Sequence, residues 1–157
     1  MIYLDTSILV ALLTHEPATA AVTAWFATIE LPLVSADWCA VEFASAIAIK
    51  QRVGQLRPVH AKRAHAAFKE LCAGGLRLLP ISREAFQRAA DLSRPQHAGL
   101  RAGDALHLAV AMEAGAATLA GLDRRMNANA LRLGLRLAFE IPATKRIDVT
   151  RPAGRHA

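Results

Sequence analysis

The segment MIYLDTSILVALL constrains the fold more than any other stretch of the chain. Ile2 to Leu4 is a short apolar run that stops at Asp5, and an apolar helical stretch follows at once. A run that short is a strand rather than a helix, and an unbroken apolar strand is one covered on both faces. The same alternation recurs downstream. Residues 31–35, 76–81, 117–122 and 135–141 read as further strands. Helices are predicted over residues 8–13, 17–29, 36–52, 58–72, 82–94, 103–113 and 124–133. Thr6 and Ser7 are candidate caps for the first of these, Asp37 for the third and Ser82 for the fifth, while Gly54, the Gly74-Gly75 pair and Gly115 mark helix ends. Strands that alternate with helices imply an α/β fold with a mostly parallel central sheet of four to five strands, flanked by helices. Pro80 removes a backbone donor from LRLLPI, which puts that strand near a sheet edge.

The chain has 157 residues, 54% of them apolar and 20% charged, which suits one packed domain and argues against disorder. We assign residues 1–143 to the domain and residues 144–157, TKRIDVTRPAGRHA, to a basic, flexible tail. Asp5 interrupts the apolar N-terminus and no basic stretch precedes it, so neither a signal peptide nor a membrane span is expected, and a cytoplasmic protein is. Cys39 and Cys72 show no metal-type spacing. The formal charge is +6, and 15 of the 19 basic residues are Arg. Such a surface suits a polyanion, although a compositional Arg bias accounts for it equally well.

Of the 13 acidic residues, four stand in segments whose neighbours are apolar. Asp5 ends IYL, Glu42 lies within CAVEFASAI, Asp104 precedes ALHLAVAM, and Asp123 follows TLAGL. A lone buried carboxylate is costly and is normally paired or bound to a cation. In an open parallel sheet, sites form beyond the carboxyl ends of the strands, where Asp5 and Asp123 are expected. Asp104 stands at a helix start, and Glu42, a turn or more into its helix, leans over the same edge. Four carboxylates brought together repel one another without a cation. Oxygen-only ligands suit Mg²⁺ or Mn²⁺, and such an ion suits a phosphodiester substrate. Each acid also has a plainer reading: Asp5, Asp104 and Asp123 as helix caps, Glu42 as the partner of a nearby Arg.

The motifs YLDTSILVALL, AVEFASAI, LRAGDALHLAVA and TLAGLDRRM, in this order, resemble those of PIN-domain ribonucleases, and specifically the VapC-type toxins of toxin–antitoxin pairs. The resemblance covers roughly residues 1–140. It implies that Asp5, Glu42, Asp104 and Asp123 are the four acids of the site, with Asp5, Asp104 and Asp123 holding Mg²⁺ or Mn²⁺, and that Ser7 supports Asp5. It further implies cleavage of single-stranded or loop RNA, often in tRNA or rRNA, by metal-activated water that leaves a 3′-hydroxyl and a 5′-phosphate. A homodimer and a VapB-like antitoxin whose C-terminal segment blocks the site are also implied.

Gly121 departs from the pattern, because relatives carry Thr or Ser two residues before the fourth acid. That loss favours a rival reading, a catalytically weak PIN-fold module that binds RNA or protein. A phosphotransfer domain with Asp5 as nucleophile is a further rival, but the chain lacks both an Asp-x-Asp after its first strand and a P-loop. His107, three residues after Asp104, reads as a structural, partly buried histidine. Arg124 and Arg125 are candidates for phosphate contact or for plain solvation. The helix from Pro58 is a candidate part of the antitoxin groove.

Overall fold

A computed structural model describes residues 1–94 and 99–139. The assigned tail, the end of the domain and the last two residues of the predicted strand 135–141 lie outside the described residues.

Five strands form one sheet: β1 (Ile2–Leu4), β2 (Leu33–Ala36), β3 (Leu76–Leu79), β4 (Thr118–Ala120) and β5 (Arg136–Leu137). Their order is β3-β2-β1-β4-β5, and every pairing is parallel. The helices are α1 (Thr6–Leu13), α2 (Thr19–Phe26), α3 (Trp38–Arg52), α4 (Pro58–Ala73), α5 (Arg83–Leu92), α6 (Ala102–Glu113) and α7 (Arg124–Arg132). The expected α/β class with a parallel central sheet is therefore the observed one, and the Pro80 strand, β3, is an edge.

Two apolar layers sandwich the sheet. Tyr3, Val34, Ala36 and Leu119 face one side, where α5, α6 and α7 bring Ala85, Leu108 and Met126. Ile2, Leu4 and Ala120 face the other, where α1, α3 and α4 bring Ile8, Phe43 and Phe68. Successive residues of β1 thus serve opposite layers, as the two-residue period of a strand requires. Burial on both faces is why IYL carries no charged residue before Asp5.

The chain leaves β1 toward β2 and β3 on one side and later returns to β4 on the other. β1 and β4 are adjacent, with Leu4 opposite Ala120, so the direction of winding reverses between them. That switch point opens a crevice at the carboxyl ends of the two strands.

Several boundaries differ from expectation. α1 begins at Thr6 with Asp5 as its N-cap, rather than at Ile8 capped by Thr6 or Ser7. α2 begins at Thr19, not Pro17, because the Thr19 hydroxyl closes the preceding turn by accepting from the Glu16 amide and donating to the Ala11 carbonyl. Asp37 makes no side-chain cap to α3. β4 stops at Ala120, so Gly121 and Leu122 separate it from Asp123. Ser82 caps α5 by accepting from the Ala85 amide.

Candidate active site

The β1–β4 switch point holds a cleft of about 790 Å³, and Asp5, Glu42, Asp104 and Asp123 all line it. Each comes from a different place in the fold: Asp5 from the end of β1, Glu42 from α3, Asp104 from the first turn of α6, and Asp123 from the cap of α7. Thr6, Ser7, Trp38, Lys50 and Arg101 line the cleft beside them.

Asp5 is only 6% exposed. Its amide donates to the Ala120 carbonyl at 2.9 Å, which ties the turn after β1 to β4. Its Oδ2 accepts from the Ser7 amide at 3.0 Å and from the Ser7 hydroxyl. The Ser7 oxygen in turn accepts from the Leu122 amide at 2.9 Å. One hydroxyl thus links the first acid to the loop that carries the fourth. Hydrogen bonds to a charged acceptor contribute about 1.5–3 kcal/mol, enough to hold this geometry against the loop's freedom. Asp123 Oδ1 accepts from the Arg125 and Met126 amides at 2.7 and 2.8 Å. Asp5 and Asp123 are therefore helix caps and cleft residues at once, and the plainer reading of each is not an alternative to the functional one. Asp104 makes one long contact, 3.4 Å from its Oδ2 to the Arg101 amide.

Among the described residues, Glu42 has neither an Arg nor a Lys partner. Its Oε2 accepts from the Thr6 hydroxyl at 2.6 Å and lies 2.7 Å from His107 Nε2. From the sequence, His107 reads as a structural or partly buried histidine, with contact to RNA phosphate or a role as an acid as the other reading. It is 1% exposed, and its ring sits against the acids, with Nε2 3.7 Å from Asp5 Oδ1. The Tyr3 hydroxyl lies 2.8 Å from its Nδ1. The sequence held a signal for this. His107 is a polar residue in the apolar run ALHLAVAM, the same criterion that singled out the acids.

The electrostatics follow from this crowding. Burial, then the charges of Asp123 and Asp5, raise the Asp104 carboxyl above its ordinary 3.8. Burial would raise Glu42 too, but the hydrogen bonds from His107 and Thr6 outweigh it and hold the carboxyl below 4.5. Burial would lower His107, yet its bond to Glu42 and the charges of Asp5, Glu42 and Asp104 raise the imidazole above 6.5. Asp104 thus registers like-charge repulsion that the Arg101 amide and guanidinium offset only in part, the condition that a bound cation relieves. The donors facing the cleft are carboxylate oxygens, which fit a hard divalent ion such as Mg²⁺ or Mn²⁺.

Gly121 has a packing cause. A Cβ there would stand 2.6 Å from Met126 Cε and 3.1 Å from Asn127 Oδ1. Met126 and Asn127 fill the room that a larger residue at 121 needs, and the Asn127 amide donates to the Gly121 carbonyl at 2.9 Å. Gly103 allows a second close approach, because its Cβ would lie 2.6 Å from Glu42 Oε1. Arg125 donates to the Gly99 carbonyl at 3.1 Å.

A model of the family described as PIN domain matches residues 2–131. The chain belongs to the PIN domain family. Among solved structures, this PIN domain is similar to VapC20 of Mycobacterium tuberculosis, a toxin that cleaves the sarcin-ricin loop. The TM-score is 0.67 at 18% identity, over 82% of this chain and 94% of that one. It is also similar to a chain of FitAcB from Neisseria gonorrhoeae, with a TM-score of 0.58 at 19% identity, over 87% and 96% of the two chains. A third likeness is to FitAB bound to an IR36 DNA fragment, with a TM-score of 0.62 at 20% identity, over 87% and 93%. At these identities the likeness is one of fold. No curated protein matches the sequence. No helix among the described residues is long and apolar enough to cross a membrane.

Proposed function

We propose that this PIN domain is a divalent-metal-dependent endoribonuclease and the toxin member of a toxin–antitoxin pair. The observation that carries the reading is that Asp5, Glu42, Asp104 and Asp123 all line one cleft at the switch point, with Asp5 and Glu42 near enough to share an ion. The named activity of VapC20 supports it.

In this reading Asp5, Asp104 and Asp123 hold Mg²⁺ or Mn²⁺. When bound there, the ion would supply a water of lowered pKa and positive charge against phosphate oxygens. Asp5 is kept oriented by Ser7, and Asp123 by the amides at the start of α7. Glu42, ionised and fixed by its hydrogen bonds, accepts a proton from the attacking water. Arg101 puts positive charge at the cleft wall, where an RNA backbone must pass, while Lys50 on the same wall is paired with Glu16. The partners are an RNA, in tRNA or rRNA, a VapB-like antitoxin that covers the cleft, and a second copy of the chain in a homodimer.

Asp5→Asn tests the reading. It keeps the shape and the capping oxygen but removes the charge, so RNA cleavage should vanish while the circular dichroism spectrum stays that of the wild type. Cleavage at the wild-type rate would remove Asp5 from the mechanism.

A further inference from the structure

We propose that His107 is the positioning residue of Glu42: with Thr6 and Tyr3 it clamps that carboxylate from the protein side of the cleft, and it is not itself a ligand of the ion. The catalytic consequence rests on the nuclease reading above; the clamp itself belongs to the metal-free protein.

Asp5, Glu42 and His107 each offer a donor atom within 4.8 Å of the others, which taken alone would admit the imidazole as a third ligand. Three observations point the other way. First, Nε2 is at hydrogen-bond distance from Glu42 Oε2, 2.7 Å, but 3.7 Å from Asp5 Oδ1. A nitrogen that donates its hydrogen to a carboxylate has no lone pair left for a metal. Second, the ring is 1% exposed and lies behind the cleft wall, whereas Asp5, Thr6, Glu42, Asp104 and Asp123 form that wall. His107 reaches Glu42 from the interior; an ion reaches it from the solvent side. Third, the Tyr3 hydroxyl holds Nδ1 at 2.8 Å, and Tyr3 is a fully buried residue of the central strand. With both nitrogens engaged, the ring has one orientation.

The result at Glu42 is asymmetric. Oε2 takes two donors, the Thr6 hydroxyl and His107 Nε2, so rotation of the carboxylate is blocked, and Oε1 is held against Gly103. Partners of this kind orient groups that work at a metal site, and losing one typically lowers affinity or activity about 10–100-fold.

The test uses ¹⁵N-labelled protein and Mg²⁺ alone. The Nε2–H resonance of His107 should be present in EDTA, should shift in Glu42→Gln, and should survive Mg²⁺ saturation. Loss of that hydrogen as Mg²⁺ binds would make His107 a ligand and overturn the proposal; so would a resonance indifferent to Glu42→Gln.

Cleavage kinetics supply the second arm. His107→Leu should lower kcat about 10–100-fold with little change in KM, and His107→Gln, which keeps a donor, should restore most of the loss. In the Glu42→Gln background, His107→Leu should cost no more than about a further twofold, since the two side chains act as one unit. Full additivity would contradict the clamp. Tyr3→Phe, which removes only the hydroxyl, should lower kcat in the same sense should His107→Leu fail to fold. A wild type that neither binds Mg²⁺ nor cuts RNA would defeat the nuclease reading, and the spectra in EDTA would still decide the clamp.

Discussion

Gly121→Ala adds a single methyl group two residues before Asp123, where the sequence motif leads one to expect a hydroxyl. Gly121 is not among the positive-φ glycines, so alanine suits its backbone. By itself that change should stabilise the fold by about 0.4–1 kcal/mol, because it restricts the unfolded chain. Packing opposes it. The new Cβ would stand 2.6 Å from Met126 Cε, a distance that real contacts do not reach, and 3.1 Å from Asn127 Oδ1. Met126 Cε is the end of a flexible side chain, but the residue is fully buried in the layer formed with α6, so it can move only by repacking its neighbours. Overpacking of this kind costs about 1–3 kcal/mol. Displacing Asn127 would also strain its bond to the Gly121 carbonyl, an interaction of about 0.5–1.5 kcal/mol. The clash outweighs the entropy gain, and the net should be about 1–2 kcal/mol of destabilisation. For a domain of this size that lowers Tm by about 2–8 °C. Differential scanning calorimetry in EDTA reads it directly. Asp5 Cβ would be 3.4 Å from the added methyl, an ordinary contact, so Mn²⁺ affinity should hold. An alanine variant as stable as the wild type, or more so, would refute the view that Met126 and Asn127 dictate this glycine.

Two further outcomes are expected. Gly103→Ala would place a methyl group 2.6 Å from Glu42 Oε1, and Glu42 cannot yield without breaking its bonds to Thr6 and His107; RNA cleavage should fall about 10–100-fold, and wild-type kinetics would show that Glu42 is not held in place. The metal-free protein should also show a pH-dependent contribution from the His107–Glu42 pair. The imidazole, raised above 6.5, contributes stability that is full below that value and is lost as pH rises through the folded one. Glu42, lowered below 4.5, contributes above that value and loses it as pH falls through the folded one. The pair therefore supports the fold most between about pH 4.5 and 6.5. Melting scans of wild type and His107→Gln in EDTA should differ most inside that window and converge on its alkaline side; a constant difference across pH would contradict the pairing.

The order of elements could be read from the sequence because each strand is a short apolar run and most helix ends carry a local signal, such as Ser82 or Gly54. The acids stood out for the same reason, since a charge beside IYL or within CAVEFASAI violates the surrounding pattern. What could not be read depends on contacts between segments far apart in the chain. That β1 lies beside β4 decides where Asp5 meets the Asp123 loop, and no local pattern encodes it. The Tyr3 hydroxyl finds its partner 104 residues away. From the sequence, Gly121 reads as a lost hydroxyl, whereas Met126 and Asn127 fill the space beside it. The start of α2 moved because Thr19 closes a turn through its side chain, which Pro17 alone does not reveal.

Titrating Mn²⁺ into EDTA-treated protein, with heat of binding and Tm read together, tests the claim on which the account depends. Saturable binding should appear, and at a hundredfold excess over Kd it should add about 2.7 kcal/mol of stability, or about 5–11 °C in Tm. Asp5→Asn should abolish both signals. No saturable heat and an unchanged Tm in the wild type would mean that the four carboxylates meet for some reason other than to hold a metal ion.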